Sequence, residues 1–268
     1  VLRFNVLGRL EVVVDGRPLA LPAGKQRALL AALLIDANHS VSSDRLIDRL
    51  WGEAPGSAAA KNLQVLVSQL RKALGEGVIE TVSSGYRLRV EPQAVDSERF
   101  EQLLERGRDE LSEQRADVAR RTFDEALSLV RGPPYEDVSY EEFARDECDR
   151  LQEMVMQARE ERLEALLALD RPVEALPGLR KLAAEHPTRE RTVTLLAAAL
   201  ARTGRRAEAL DLYDQTRRLL AEQVGIEPGH RLRRLHAAIL ESPEQVRADD
   251  SLASARSRRR RPLVSLAA

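Results

Sequence analysis

The sequence predicts a mainly α fold with a small β component: a winged helix-turn-helix domain followed by an all-α, tetratricopeptide-like helical domain. Three observations predict it. Residues 1–95 run strand, strand, three helices, hairpin. Helical patterning then continues from Asp96 to about Leu240. Within it, Arg171-Pro-Val-Glu174-Ala175-Leu176 returns as Arg205-Arg-Ala-Glu208-Ala209-Leu210, and this offset of 34 residues matches a helical-hairpin repeat. The expected divisions are 1–95, 96–241 and a flexible basic tail or linker over 242–268.

Phe4 to Val14 reads as one strand, with Phe4, Val6, Leu10, Val12 and Val14 on a shared face. Asp15-Gly16 signals a hairpin turn, and Arg17 to Leu21 a short return strand. Lys25 to Asn38 carries Leu29, Leu30, Leu33 and Leu34 at helical spacing. Ser42 or Ser43 can cap a second helix, Asp44 to Trp51. A third helix spans about Ser57 to Leu74. Its inward stripe is Leu63, Val67, Leu70 and Leu74, and Gly75 to Gly77 stop it. Val78 to Val82 and Tyr86 to Val90, joined by Ser83-Ser84-Gly85, close the domain as a hairpin. Beyond Asp96 every segment reads as helix, punctuated by Pro187 and Pro228. A looser copy of the repeat is Arg115-Ala-Asp117-Val-Ala119. Each such hairpin leaves an apolar face that only stacking can bury.

The 268 residues carry 42 Lys and Arg against 43 Asp and Glu, so global charge favours no class of partner. The local distribution does. Residues 1–95 hold twelve basic against nine acidic side chains, and Ser57 to Leu74 holds Lys61, Arg71 and Lys72 with no acid at all. The single cysteine, Cys148, excludes a disulfide framework and fits a reducing cytoplasm. No apolar run approaches the roughly 18 residues of a membrane span. The first residues alternate and carry charges, unlike a signal peptide. The expected location is cytoplasmic, with no membrane partner.

The third helix presents Lys61, Asn62, Gln64, Val65, Ser68, Gln69, Arg71 and Lys72 away from its apolar stripe. These side-chain types suit a DNA groove. Asn and Gln pair with adenine, Val touches a thymine methyl, and Lys and Arg meet guanine or phosphate. A solvated amphipathic face shows the same spacing, but the absence of acids and the hairpin that follows favour DNA. In that hairpin, Ser83 and Ser84 form a tight tip beside Tyr86 and Arg87, suited to close approach to the backbone. Lys25 opens the first helix, where free N–H groups can receive a phosphate. Trp51 reads as core, and the loop Gly52-Glu53-Ala54-Pro55 after it can meet a protein partner.

Catalytic signals are weak. His39, His186, His230 and His236 lie in different segments without ligand spacing. Cys148 sits among Asp146, Glu147 and Asp149, which disfavour a thiolate. Phosphate-loop and nucleophile-elbow motifs are absent from the sequence. A non-enzyme without cofactor, metal or catalytic residue is expected.

Ordered strings throughout the chain resemble the streptomycete antibiotic regulatory protein family. The N-terminal strings are Gly24-Lys25-Gln26-Arg27-Ala28-Leu29-Leu30, Asp44-Arg45-Leu46-Ile47 with Trp51-Gly52, Asn62-Leu63-Gln64-Val65, Leu70-Arg71-Lys72-Ala73-Leu74 and Gly85-Tyr86-Arg87-Leu88. Arg131-Gly132-Pro133-Pro134, Glu185-His186-Pro187, Arg189-Glu190-Arg191 and Gly225-Ile226-Glu227-Pro228-Gly229 resemble the family's bacterial transcriptional activation domain. Coverage runs from about Leu2 to Leu240. The resemblance implies an OmpR-like winged helix whose third helix reads direct repeats in double-stranded promoter DNA near the −35 element. It implies a homodimer or tandem pair on DNA, and recruitment of RNA polymerase holoenzyme through sigma factor and other subunits. The loop from Trp51 to Pro55 corresponds to the polymerase-contacting loop of that class. The regulated genes are expected to be those of antibiotic or other secondary-metabolite biosynthesis. Larger members continue into a nucleotide-binding domain where the basic tail lies here. With no receiver domain ahead of the winged helix in this sequence, no receiver aspartate is expected as the switch. Tyr135-Glu136-Asp137 departs from a family pattern of small or apolar residues. The alternative reading is a tetratricopeptide-type adaptor whose winged helix mediates protein contacts.

Overall fold

The computed structural model describes residues 1–22, 24–52 and 56–241. The first strands are β1 (Leu2–Asn5), β2 (Glu11–Val14) and β3 (Arg17–Leu19), an antiparallel sheet in that order. The expected single strand from Phe4 to Val14 is therefore two strands, with Phe4 opposite Val12. Gly8 divides them at φ +149°, a conformation that side-chain-bearing residues rarely adopt. The β2–β3 turn is as expected: Asp15 and Gly16 both take positive φ, and Val14 pairs with Arg17.

Helix α1 (Lys25–Ile35) is buried along most of its length, including Ala28 to Leu34. β4 (Ser40–Ser42) follows, then α2 (Ser43–Trp51), α3 (Ala59–Leu74), β5 (Ile79–Val82) and β6 (Gly85–Leu88). Ser42 caps α2 by accepting from the Arg45 N–H at 3.2 Å. β4 adds a strand to the expected hairpin, giving the order β4-β6-β5. Its three residues offer one apolar side chain, Val41, too little for a pattern.

The remaining helices are α4 (Asp96–Ser112), α5 (Ala116–Ser128), α6 (Arg145–Ala168), α7 (Pro172–Glu185), α8 (Glu190–Arg202), α9 (Arg206–Gln223) and α10 (His230–Glu241). Contacts cluster into two compact units, 1–105 with 124–158, and 106–123 with the described part of 159–268.

In the first unit, residues 129–141 are not helix, contrary to the helical pattern expected there. Pro133 and Pro134 have no N–H for a helical ladder. The segment bonds instead to the loop between β1 and β2. Arg131 N–H donates to Leu7 O at 2.7 Å, Tyr135 N–H to Val6 O at 2.8 Å, and Glu136 N–H to Gly8 O at 3.1 Å. A Cβ on Gly8 would stand 3.1 Å from the Arg131 Cβ. From the other side, the Asp96 carboxylate accepts from the Val6 N–H at 2.7 Å and the Leu7 N–H at 3.2 Å. Asp137 accepts from the Leu10 N–H at 2.9 Å and pairs with Arg27. Tyr135 is among the largest fully buried side chains, so the departure from the family pattern fills core.

In the second unit the repeat is visible as a turn used three times. Gln114, Asp170 and Gly204 take positive φ. The next residue donates to a carbonyl five positions back: Arg115 to Glu110, Arg171 to Leu166, Arg205 to Leu200, each at 2.9 Å. This is the Schellman closure of a helix end. Arg171 then pairs with Glu174 and Arg205 with Glu208 at the start of the next helix. The fully buried Glu160 and Glu161 hold this unit through Arg189 at 2.8 Å and Arg108 at 2.9 Å.

Candidate nucleic-acid interface

Helix α3 turns one apolar row inward and one polar row outward. Leu63, Val67, Leu70 and Leu74 are buried. Lys61, Val65, Ser68 and Lys72, spaced by four, three and four, lie along the opposite side and are all exposed. Asn62 and Gln69 flank that row on one edge and Gln64 on the other, also exposed. Val65 is 48% exposed. An apolar side chain in the middle of a polar row gains nothing from water, but it suits a thymine methyl. The α3 N-terminus has no side-chain cap and no acid in its first turn, and the exposed Ala60, four residues before Gln64, continues that edge of the face. Ala60 carries no donor or charge, so its type does not mark it in the sequence.

Two predicted residues stand elsewhere than expected. Arg71 is half-buried and faces the hairpin. Its Nε donates to Ile79 O at 2.8 Å, its Nη2 to Thr81 Oγ1 at 2.7 Å, and its guanidinium lies 5.9 Å from the Tyr86 ring centroid. Tyr86 is buried, opposite Val41 and Thr81 in the sheet, rather than displayed at the tip. Strand alternation accounts for this, since Arg87 beside it points to the other face. Lys25 opens α1 as expected and is exposed, 3.4 Å from Glu141. Arg71 and Tyr86 thus fasten the wing to α3, and Lys25 has a carboxylate partner.

Ser83 and Ser84 form the exposed two-residue turn of the wing, and Ser84 O accepts from the Ser43 N–H at 3.0 Å. Arg87 and Arg89 both approach Glu80, at 3.7 and 3.1 Å. These exposed pairs are weak and can yield to phosphate. Gly85, expected in the turn, opens β6 and is constrained by packing: a Cβ there would stand 2.0 Å from Val41 O. Trp51 is half-buried and Gly52, exposed, ends α2 at φ +79°. Glu53, Ala54 and Pro55 lie outside the described residues, as does the tail from 242 onward.

Cys148 is buried, donates to Pro134 O at 3.4 Å, and has its thiol pushed up to about 11 by burial and then by Asp149 and Glu147. That agrees with the inert reading. Among the described residues no helix is long and apolar enough to cross a membrane.

Comparison with known proteins places this geometry. The family "Transcriptional regulatory protein, C terminal" matches residues 16–88, and "Bacterial transcriptional activator domain" matches residues 95–240. Regulatory protein AfsR of Streptomyces coelicolor is 39% identical over 251 residues, covering 90% of this chain but 24% of AfsR. This chain thus spans about a quarter of that relative. Regulatory protein DnrI of Streptomyces peucetius is 34% identical over 250 residues, covering 89% of this chain and 92% of DnrI. Mycobacterium tuberculosis EmbR, solved in complex with a low affinity phosphopeptide, superposes with a TM-score of 0.88 at 33% identity, over 95% of this chain and 69% of that one.

Proposed function

Because the chain belongs to the streptomycete antibiotic regulatory protein family, transcriptional regulators that carry a bacterial transcriptional activator domain, we propose that it activates transcription by reading promoter DNA through α3. One observation carries the reading. Seven side chains on the outer face of α3 are exposed, and none is acidic. Asn62, Gln64, Val65, Ser68 and Gln69 would work on base edges, while Lys61 and Lys72 reach guanine or phosphate. Ser83, Ser84 and Arg87 would hold the adjacent backbone, with Arg71 acting through the wing. The target is double-stranded DNA with direct repeats near the −35 element, occupied by a homodimer or tandem pair. The segment from Trp51 to Pro55 would contact RNA polymerase holoenzyme, including sigma factor, at genes of secondary-metabolite biosynthesis.

The test is fluorescence anisotropy with a direct-repeat promoter fragment and a scrambled duplex across a salt series. The expected result is preference for the repeats and a steep negative salt slope. Lys72→Ala should lower that slope by about one unit and weaken both duplexes similarly. Equal binding to the two duplexes overturns sequence reading.

A further inference from the structure

The second unit contains a cavity of about 390 Å³ that the reading of DNA does not use. It lies among the C-terminal end of α4, α6, and the beginnings of α8 and α10. Its size falls within the range of small-molecule sites, about 300–1,000 Å³. Leu111, Leu195 and Leu232 give it an apolar wall.

The charged groups around that wall are unequally occupied. Arg191 is held against Glu164 at 2.8 Å and Glu161 at 3.5 Å, and Arg108 against Glu161 at 2.9 Å. Glu190 accepts from the Gly229 N–H at 2.5 Å. His230 and Arg231 also line the cavity, are exposed, and have no carboxylate partner among the described residues. Among the described lining guanidinium groups, Arg231 is therefore the one left open to an anion, with the Glu190 carboxylate engaged by the Gly229 N–H. A guanidinium offers a planar fork of donors that matches a carboxylate or sulfonate. The buried glutamates fix Arg108 and Arg191, so the walls are set before any ligand arrives.

We propose that this cavity binds a small amphipathic organic anion, its acid group on Arg231 and His230 and its apolar body on Leu111, Leu195 and Leu232. This is a ligand-binding activity distinct from the reading of DNA, and its test involves no DNA.

The probe is 1-anilinonaphthalene-8-sulfonate, titrated against the full chain by fluorescence, followed by displacement with octanoate. One saturable site per chain is expected. Octanoate should displace the probe, and uncharged octyl glucoside should do so at least tenfold less effectively. Arg231→Glu should weaken probe binding at least tenfold. Arg233→Glu, an exposed change on α10 outside the cavity lining, should leave it unchanged. Circular dichroism checks that both variants keep their helices, and octanoate displacement on the unaltered chain tests the site should a variant unfold. Unsaturable binding, equal displacement by the uncharged detergent, or equal affinities for the two variants overturns the proposal.

Discussion

A carboxylate taken out of water must be held by donors, and Asp96 shows which effect prevails when it is. It accepts from the Val6 and Leu7 N–H groups and lies 3.5 Å from Arg131. Burial nonetheless outweighs these contacts and lifts its pKa above the ordinary carboxylate value. The folded protein therefore holds this proton more tightly than the unfolded chain does. Its contribution to stability is full below the ordinary carboxylate range and falls as pH rises from that range through the raised value. Asp96→Asn should remove this slope from urea midpoints measured from about pH 4 to pH 7. Asp96→Ala should cost about 1–3 kcal/mol, because two backbone donors lose their acceptor. A flat midpoint-against-pH comparison between the unaltered chain and Asp96→Asn would refute the shift. Asp96 heads α4 and reads in sequence as an ordinary acid in a helix's first turn. Nothing local marks it as the acceptor for Val6 N–H, 90 positions earlier.

Elements with strong internal periodicity were legible, and elements defined by distant partners were not. α3 shows its buried row and its exposed row in its own residues, so most of the candidate face could be read in advance. Arg71 could not be distinguished from Lys72 by type, since what separates them is that Thr81 and Ile79 O stand beside one of them. The segment 129–141 failed for a related reason: its geometry is set by bonds such as Leu10 N–H to Asp137, 127 positions apart. Gly85 belongs with these hidden constraints. Its absent side chain lets β6 lie against β4, where a Cβ would meet Val41 O at 2.0 Å, Ser42 Cα at 2.7 Å and Ser43 N at 2.8 Å. All three are backbone atoms, two in β4 and one opening α2, so no rotamer change relieves them. Gly85→Ala should destabilise the chain by about 1–3 kcal/mol, as overpacking does, and should displace the wing from α3. Ser84→Ala, at an exposed turn position, is the control. Thermal unfolding should show a lowered midpoint for Gly85→Ala alone. Equal midpoints for the two variants would mean that the strands can part without loss.

At the scale of the molecule, the compact unit around the winged helix reaches beyond the expected limit at residue 95. The loop of residues 6–10 has little hydrogen bonding of its own within 1–95. The Val6 and Leu7 N–H groups go to Asp96, the Leu10 N–H to Asp137, and the Val6, Leu7 and Gly8 carbonyls receive Tyr135, Arg131 and Glu136. Arg27, in the central helix α1, pairs with Asp137. Tyr135 and Phe100 are fully buried in the same unit as Phe4 and Leu7. A fragment of residues 1–95 would contain the residues of both small sheets but lose every one of these partners. Each orphaned buried donor costs about 1–3 kcal/mol, against a typical domain stability of about 5–15 kcal/mol. The fragment should therefore lack the cooperative urea transition of the full chain, and its amide NMR signals should collapse into the narrow range of unfolded chains. A sharp transition with dispersed amide signals would show instead that the winged helix closes its own core, and that residues 124–158 merely rest against it.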